Sequence, residues 1–151
     1  MKIELRKINE QNKAEIISLT VAEEQSGYIA SNESSLAEAE AFPKIACPFG
    51  IYADGKAVGF TMFAFDENND DPHDKYWLWR FMIDKSLQGN GYGSAAMKEI
   101  INYFRDNGAD EITLSTKENN VSALAIYHKF GFRENGEIID GETVLKLKFY
   151  K

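Results

Sequence analysis

The sequence predicts a mixed α/β fold: one mostly antiparallel sheet with a central parallel strand pair, in the order β-α-α-β-β-β-α-β-α-β-β. Three observations predict it. Two Asp-Gly pairs, Asp54-Gly55 and Asp140-Gly141, each stand between runs of strand character, the signal of a tight hairpin. Between these hairpins the hydrophobic period changes from 2 to about 3.6 and back, so strand, helix and strand follow one another. Such a unit makes a parallel pair through a right-handed crossover, while the hairpins at both ends keep the rest antiparallel. With 151 residues, 44% of them hydrophobic and only 3 prolines, the chain is expected to be a single domain over 1–151.

The elements follow in order. Residues 2–8 alternate charged and aliphatic side chains, as a strand does. Asn9 is placed to cap a helix over roughly 10–20, with Ala14, Ile17 and Val21 on one face. SSLAEAEAF is rich in helix formers and stops before Pro43, which predicts a short helix over about 33–42. FGIYADGKAVGFTMFAF reads as the first hairpin, and KYWLWRFMID as a strand buried on both faces. Tyr92, Ala96, Ile100 and Phe104, with Met97 and Ile101, form a helical stripe that Asn107-Gly108 terminates. EITLST is a strand, NVSALAIYHKF a helix closed by Gly131, and two strands near 132–138 and 143–150 end the chain.

Composition removes several function classes. The net charge is -7 and no basic stripe exists to neutralise phosphates, which argues against nucleic acid. No apolar run approaches the roughly 20 residues that span a bilayer, so no membrane role is expected. The start, MKIELRKINE, does not read as a signal peptide, and Cys47 stands alone; a reducing cytoplasm follows as the expected location. His73 and His128 have no partners at metal-ligand spacing, so no metal is assigned and both are placed at the surface. Acids gather in DENNDDPHD and again as Glu23, Glu24, Glu33, Glu38 and Glu40. Each group is either a solvated face or a wall for a cationic ligand.

The stretch QGNGYG places three glycines at the entrance of a helix, where a side-chain cap is the usual choice. First-turn amides lack internal partners and carry partial positive charge, and glycines let a bulky anion reach them without meeting Cβ atoms. A phosphate cradle and a plain strand-to-helix turn both fit. A Walker loop does not, for want of Gly-Lys-Ser/Thr, nor does the dinucleotide fingerprint, because Ser94 stands where a third Gly belongs. Downstream, Asn120, Ala123 and Tyr127 share one helical face, and a buried amide and hydroxyl there would each need a partner. Tyr127 alone fits packing as well as chemistry.

Together these residues resemble a known family. Gln88-Gly89-Asn90-Gly91-Tyr92-Gly93 resembles the acetyl-coenzyme A loop of the GCN5-related N-acetyltransferases (GNAT), and Asn120 through Phe132 is similar to that family's second motif. Within the superfamily, EEQSGYIASNESSLAEA and the strands after it resemble bacterial spermine/spermidine (diamine) N-acetyltransferases. The resemblance implies transfer of acetyl from acetyl-coenzyme A to a primary amine, a polyamine above all, by direct attack in a ternary complex. Another amine (an aminoglycoside, an amino acid or a protein N-terminus) and a non-catalytic coenzyme A-binding module stay open as alternatives.

It further implies that the cosubstrate lies along Phe81, Met82 and Ile83, with its diphosphate on Gln88, Gly89, Asn90, Gly91, Tyr92, Gly93 and Ser94. Asn120 would bond its pantetheine arm or fix a water, and Tyr127 would be the general acid. The loop has Asn90 where the family often has a basic residue, so Lys85, Lys117 or Lys129 is expected to assist. Glu23, Glu24, Glu33, Glu38, Glu40 and Asp66 are the expected partners of a small cationic amine. No Glu precedes Asp84 on the central strand, so amine deprotonation is expected through water, ending on Glu33 or Asp66. Arg80 is expected to pair with one of these acids. A homodimer or higher homo-oligomer is compatible with this reading.

Overall fold

The computed structural model describes residues 2–20 and 31–149. Among these, β1 (Ile3–Lys7), β2 (Ala46–Ala53), β3 (Lys56–Phe65), β4 (Tyr76–Ile83), β5 (Glu111–Thr116), β6 (Arg133–Ile139) and β7 (Glu142–Lys148) form one sheet in the order β1-β2-β3-β4-β5-β7-β6. Every neighbouring pair is antiparallel except β4 and β5, the parallel pair at the centre. The helices are α1 (Lys13–Ile17), α2 (Asn32–Ala41), α3 (Tyr92–Asp106) and α4 (Val121–Lys129), in the expected chain order. Both hairpins turn through their Asp-Gly pair with φ of 50° and 84° at Asp54 and Gly55, and 50° and 79° at Asp140 and Gly141. Two positive φ values in succession make the turn whose twist matches the flanking strands. Among the described residues no helix is long and apolar enough to cross a membrane.

Strand alternation sends side chains to two helical layers. Phe63 and Leu78 join Met97, Ile100 and Phe104 of α3 and Phe132 in the larger core. On the opposite face Phe60, Met62, Tyr52 and Met82 pack against Ile16 of α1 and Leu36 and Ala39 of α2. The expected α3 stripe is the buried one, apart from half-buried Tyr92 at its first turn.

Two elements differ from expectation. Instead of covering 10–20, α1 spans Lys13–Ile17, because Asn9 and Asn12 tie the preceding residues into a turn. Asn9 Oδ1 accepts from the Gln11 and Asn12 amides, and Asn12 Oδ1 from the Asn9 amide. Ile16 rather than Ala14 carries the burial, Ala14 being exposed, and Val21 lies outside the described residues.

The second difference is β4, which is half-buried over most of its length. Its register against β3 steps from Met62↔Arg80 to Phe63↔Leu78, which leaves Trp79 as an extra residue, a β-bulge. The bulge resets the alternation, so Leu78 and Phe81 both turn to the α3 side although they are three positions apart. Arg80 secures it from α2: Nη1 donates to the Trp79 carbonyl (2.9 Å), Nε to Ser35 Oγ (3.2 Å) and Nη2 to Glu38 Oε2 (2.6 Å).

Candidate active site

The sheet opens at its centre. β4 and β5 pair at one register position, Trp77↔Thr113, whereas β5 and β7 pair over all of Glu111–Thr116. Past Trp77, the β5-facing edge of β4 has no strand partner among the described residues. A strand edge with unused N–H and C=O groups binds other extended chains.

At the end of that edge lies the glycine loop. Gly89 and Gly91 both have φ of +83°, a left-handed conformation that costs an L-residue about 1–2 kcal/mol. A Cβ at either would meet nothing within 4 Å, so space lies in front of the loop. At Gly93 the requirement differs: a Cβ would sit 3.0 Å from Ile126 Cδ1, where α3 and α4 approach each other. Gly91 is the N-cap and offers no side-chain bond, and the first α3 bond runs from the Ala95 amide to the Gly91 carbonyl. Among the described residues the amides of Gly89, Asn90, Gly91, Tyr92, Gly93 and Ser94 have no acceptor. They point their partial positive charge into the open space. Lys129 adds a cation, with Nζ donating to Ser94 Oγ at 3.3 Å.

Two cavities flank the opening. One, of about 250 Å³, is lined by Phe81, Met82 and Ile83, by Gln88, Gly89, Gly91, Tyr92, Gly93 and Ser94, and by Asn120. The residues expected to hold the cosubstrate therefore line one cavity, apart from Asn90. Asn90 does not line it, because its side chain turns back to donate to the Leu87 (3.0 Å) and Gln88 (3.4 Å) carbonyls and braces the turn. Leu87, Ser122, Ala123 and Ile126 complete the lining. The other cavity, of about 640 Å³, shares Phe81, Asn120 and Ala123 with the first and extends past Tyr127 to Asp66, Asp74 and Glu142.

Asn120, the N-cap of α4, lines both cavities, and Tyr127 on α4 lines the larger one. Asn120 is 5% exposed, and its Nδ2 donates to Thr116 Oγ1 at 3.4 Å without capping the helix. Tyr127 is buried between Phe81 and Phe132, yet its hydroxyl has no hydrogen bond to the described residues. Burial first, and the Glu142 charge second, push its pKa well above the ordinary phenol range. A neutral proton donor that the fold itself leaves unused is the result.

The acidic residues separate. Asp66 lines the larger cavity, and its Oδ2 accepts from Asn69 Nδ2 at 3.1 Å. Glu38 is committed to Arg80, as the charge on a central strand requires. Glu40 is exposed and faces Lys13 at 3.5 Å, and Glu33 is exposed in the first turn of α2; neither lines either of these two cavities. The helical register of α2 points both outward. Glu23 and Glu24 lie outside the described residues. Sequence reasoning missed Glu142, which reaches the cavity only because the β7 register sets it beyond the end of β5, where Ser115 Oγ donates to its Oε1 at 2.8 Å. Asp74 had a signal, the acidic run it shares with Asp66. Nor is His73 a free surface residue. Nδ1 lies 3.0 Å from Asp74 Oδ1 and Nε2 2.6 Å from Glu137 Oε1, so the ring joins the β3–β4 connection to β6.

Known proteins share this architecture. The model of the Acetyltransferase (GNAT) family matches residues 20–132. The chain is 35% identical over 149 residues to a probable spermine N(1)-acetyltransferase of Bacillus subtilis subsp. natto (strain BEST195), covering 96% of this chain and 97% of the relative. It is 34% identical, with the same coverage, to the spermine/spermidine N(1)-acetyltransferase of Bacillus subtilis (strain 168). The crystal structure of the PaiA N-acetyltransferase from Thermoplasma acidophilum in complex with coenzyme A superposes with a TM-score of 0.72 at 19% identity, over 99% of this chain and 100% of that one.

Proposed function

The chain belongs to the GNAT acetyltransferase family, an N-acetyltransferase with acetyl-coenzyme A as its cosubstrate, and on that premise we propose that it acetylates a primary amine of a polyamine such as spermidine or spermine. One observation carries the choice of acceptor: the cavity beyond Tyr127 has three carboxylates, Asp66, Asp74 and Glu142, in its lining. A flexible chain bearing several ammonium groups needs anions at separated points, which a neutral or anionic acceptor would not engage.

Gly89, Asn90, Gly91, Tyr92, Gly93 and Ser94 hold the diphosphate through their main-chain amides, with Lys129 beside Ser94 and the Gln88 side chain bracing the loop against the Ile83 carbonyl at 3.0 Å. The open edge at Phe81, Met82 and Ile83 takes the pantetheine arm in the manner of an added strand, and Asn120 bonds it from α4. Bound there, acetyl-coenzyme A supplies a thioester that accepts the nitrogen and releases a thiol. Tyr127 donates the proton that the departing sulfur needs. Its raised pKa keeps that proton in place at neutral pH, and no competing bond holds it. Asp66 and Asp74, at the loop end of the cavity, pair with distal ammonium groups, and Asp74 does so while anchored by His73.

Release of free thiol from acetyl-coenzyme A, measured over spermidine, spermine, kanamycin and a peptide N-terminus, tests the reading. Spermidine and spermine are expected to give the highest kcat/KM, and Tyr127→Phe to abolish most of the turnover. A preference for kanamycin or the peptide would overturn the acceptor assignment.

A further inference from the structure

We propose that Glu142 accepts the proton that the substrate ammonium must lose before its nitrogen can attack. The inference rests on the polyamine reading and assigns the base of the same site. At neutral pH only about one polyamine nitrogen in 2,500 is unprotonated, taking a lysine-like pKa of about 10.4, so a group at the site must take the proton. Glu33, one expected terminus, is exposed on α2 and lines neither cavity.

Three carboxylates remain in the cavity lining, and their partners separate them. Asp74 is engaged by His73, and Asp66 closes a turn with Asn69, both on the connection between β3 and β4. Glu142 approaches from the other wall, at the start of β7, with the neutral Ser115 hydroxyl as its one partner among the described residues. One oxygen is fixed by Ser115 and the other is left to receive a proton. Glu142 and Tyr127 line the same cavity without bonding to each other, and the carboxylate is near enough for its charge to raise the phenol's pKa. A proton acceptor and a proton donor thus face one space, which suits a nitrogen that must lose protons and a sulfur that must gain one.

The protons balance. The ammonium gives one proton to Glu142. The lone pair so freed forms the C–N bond as the C–S bond breaks, and the sulfur takes its proton from Tyr127. The second proton leaving nitrogen restores Tyr127, and Glu142 passes its own to solvent, so one proton is released per turnover. The other titratable or charged groups lining the cavity are Tyr127 on α4, Asp66 and Asp74 on the β3–β4 connection, Asp74 carrying His73 behind it, and Arg80 on β4, the last paired with Glu38.

The test compares wild type, Glu142→Gln and Glu142→Asp in kcat for spermidine from pH 7 to 9, alongside calorimetric spermidine affinity with coenzyme A present. Glu142→Gln is expected to lower kcat about 100-fold at pH 7, and the gap to close toward pH 9, where an amine of lysine-like pKa is about a hundred times more often unprotonated without a base. Affinity is expected to fall less than about tenfold, since Asp66 and Asp74 still bind the other ammonium groups. Glu142→Asp, which keeps the carboxylate, gives the same signature at reduced size and carries the test if Glu142→Gln does not fold. An unchanged kcat, a defect of equal size at every pH, or a loss confined to affinity would overturn the assignment. Wild-type turnover of spermidine reports on the polyamine reading separately.

Discussion

At Gly91 the backbone turns through φ of +83° into the first residue of α3, and the amides that follow have no acceptor among the described residues. Gly91→Ala is therefore expected to lower stability by about 1–2 kcal/mol in denaturant titrations and to weaken coenzyme A binding. Gly93→Ala acts by a different route, because its methyl meets Ile126 and pushes α4 away from the loop. At Tyr127, removal of the hydroxyl in Tyr127→Phe is expected to lower kcat by about 100-fold or more while calorimetric coenzyme A affinity stays unchanged. The sign of its titration follows from its raised pKa. The protonated phenol suits the fold, so its contribution is full below the ordinary phenol value near 10 and is lost only as pH rises through the higher folded value. Tyr127 accordingly produces no alkaline limb in a rate profile below that point. The loop and Tyr127 were legible in the sequence because a glycine run before a helical stripe, and a tyrosine on the face of an asparagine, are local patterns. Glu142 was not, since nothing local marks a glutamate after a hairpin turn as facing a cavity that β5 and α4 build.

The elements show the same division. Both Asp-Gly hairpins, α3 and the parallel crossover follow from period and turn chemistry, and the structure has each of them. Shortening of α1 was hidden because Asn9 and Asn12 bond reciprocally, an alternative to capping that spacing alone does not distinguish. The aromatic run of β4 suggested a strand covered on both faces. Instead its bulge and its separation from β5 leave Trp77, Arg80 and Phe81 on the wall of a cleft. A register shift is a property of two strands, so one strand's sequence does not announce it. Arg80 belongs to this scale, since it ties the bulge to α2. Arg80→Met is expected to cost about 2 kcal/mol in chemical denaturation, by leaving the Trp79 carbonyl without its donor and Glu38 without its cation.

For the molecule as a whole, the proposed chemistry depends on a sheet that is continuous at both hairpins and open between β4 and β5. The His73 contact with Glu137 ties the β3–β4 connection to β6. Burial lowers the His73 pKa, but the bonds to Asp74 and Glu137 outweigh it and leave a net rise. The protonated ring is thus the one the fold favours. Its stabilisation is full below the ordinary histidine value near 6.5 and fades as pH rises through the raised folded value. Hydrogen exchange of the 66–75 segment is expected to quicken over that window in wild type and to be fast and pH-independent, after correction for intrinsic exchange, in His73→Ala. The central claim, that free main-chain amides at the mouth of α3 grip a diphosphate, has a more direct test. Amide resonances of ¹⁵N-labelled protein are followed during titration with coenzyme A and, separately, with pantetheine, which lacks the diphosphate. The account predicts large shifts at Gly89, Gly91, Gly93 and Ser94 with coenzyme A and little change there with pantetheine; equal responses to both, or no response at these amides, would contradict it.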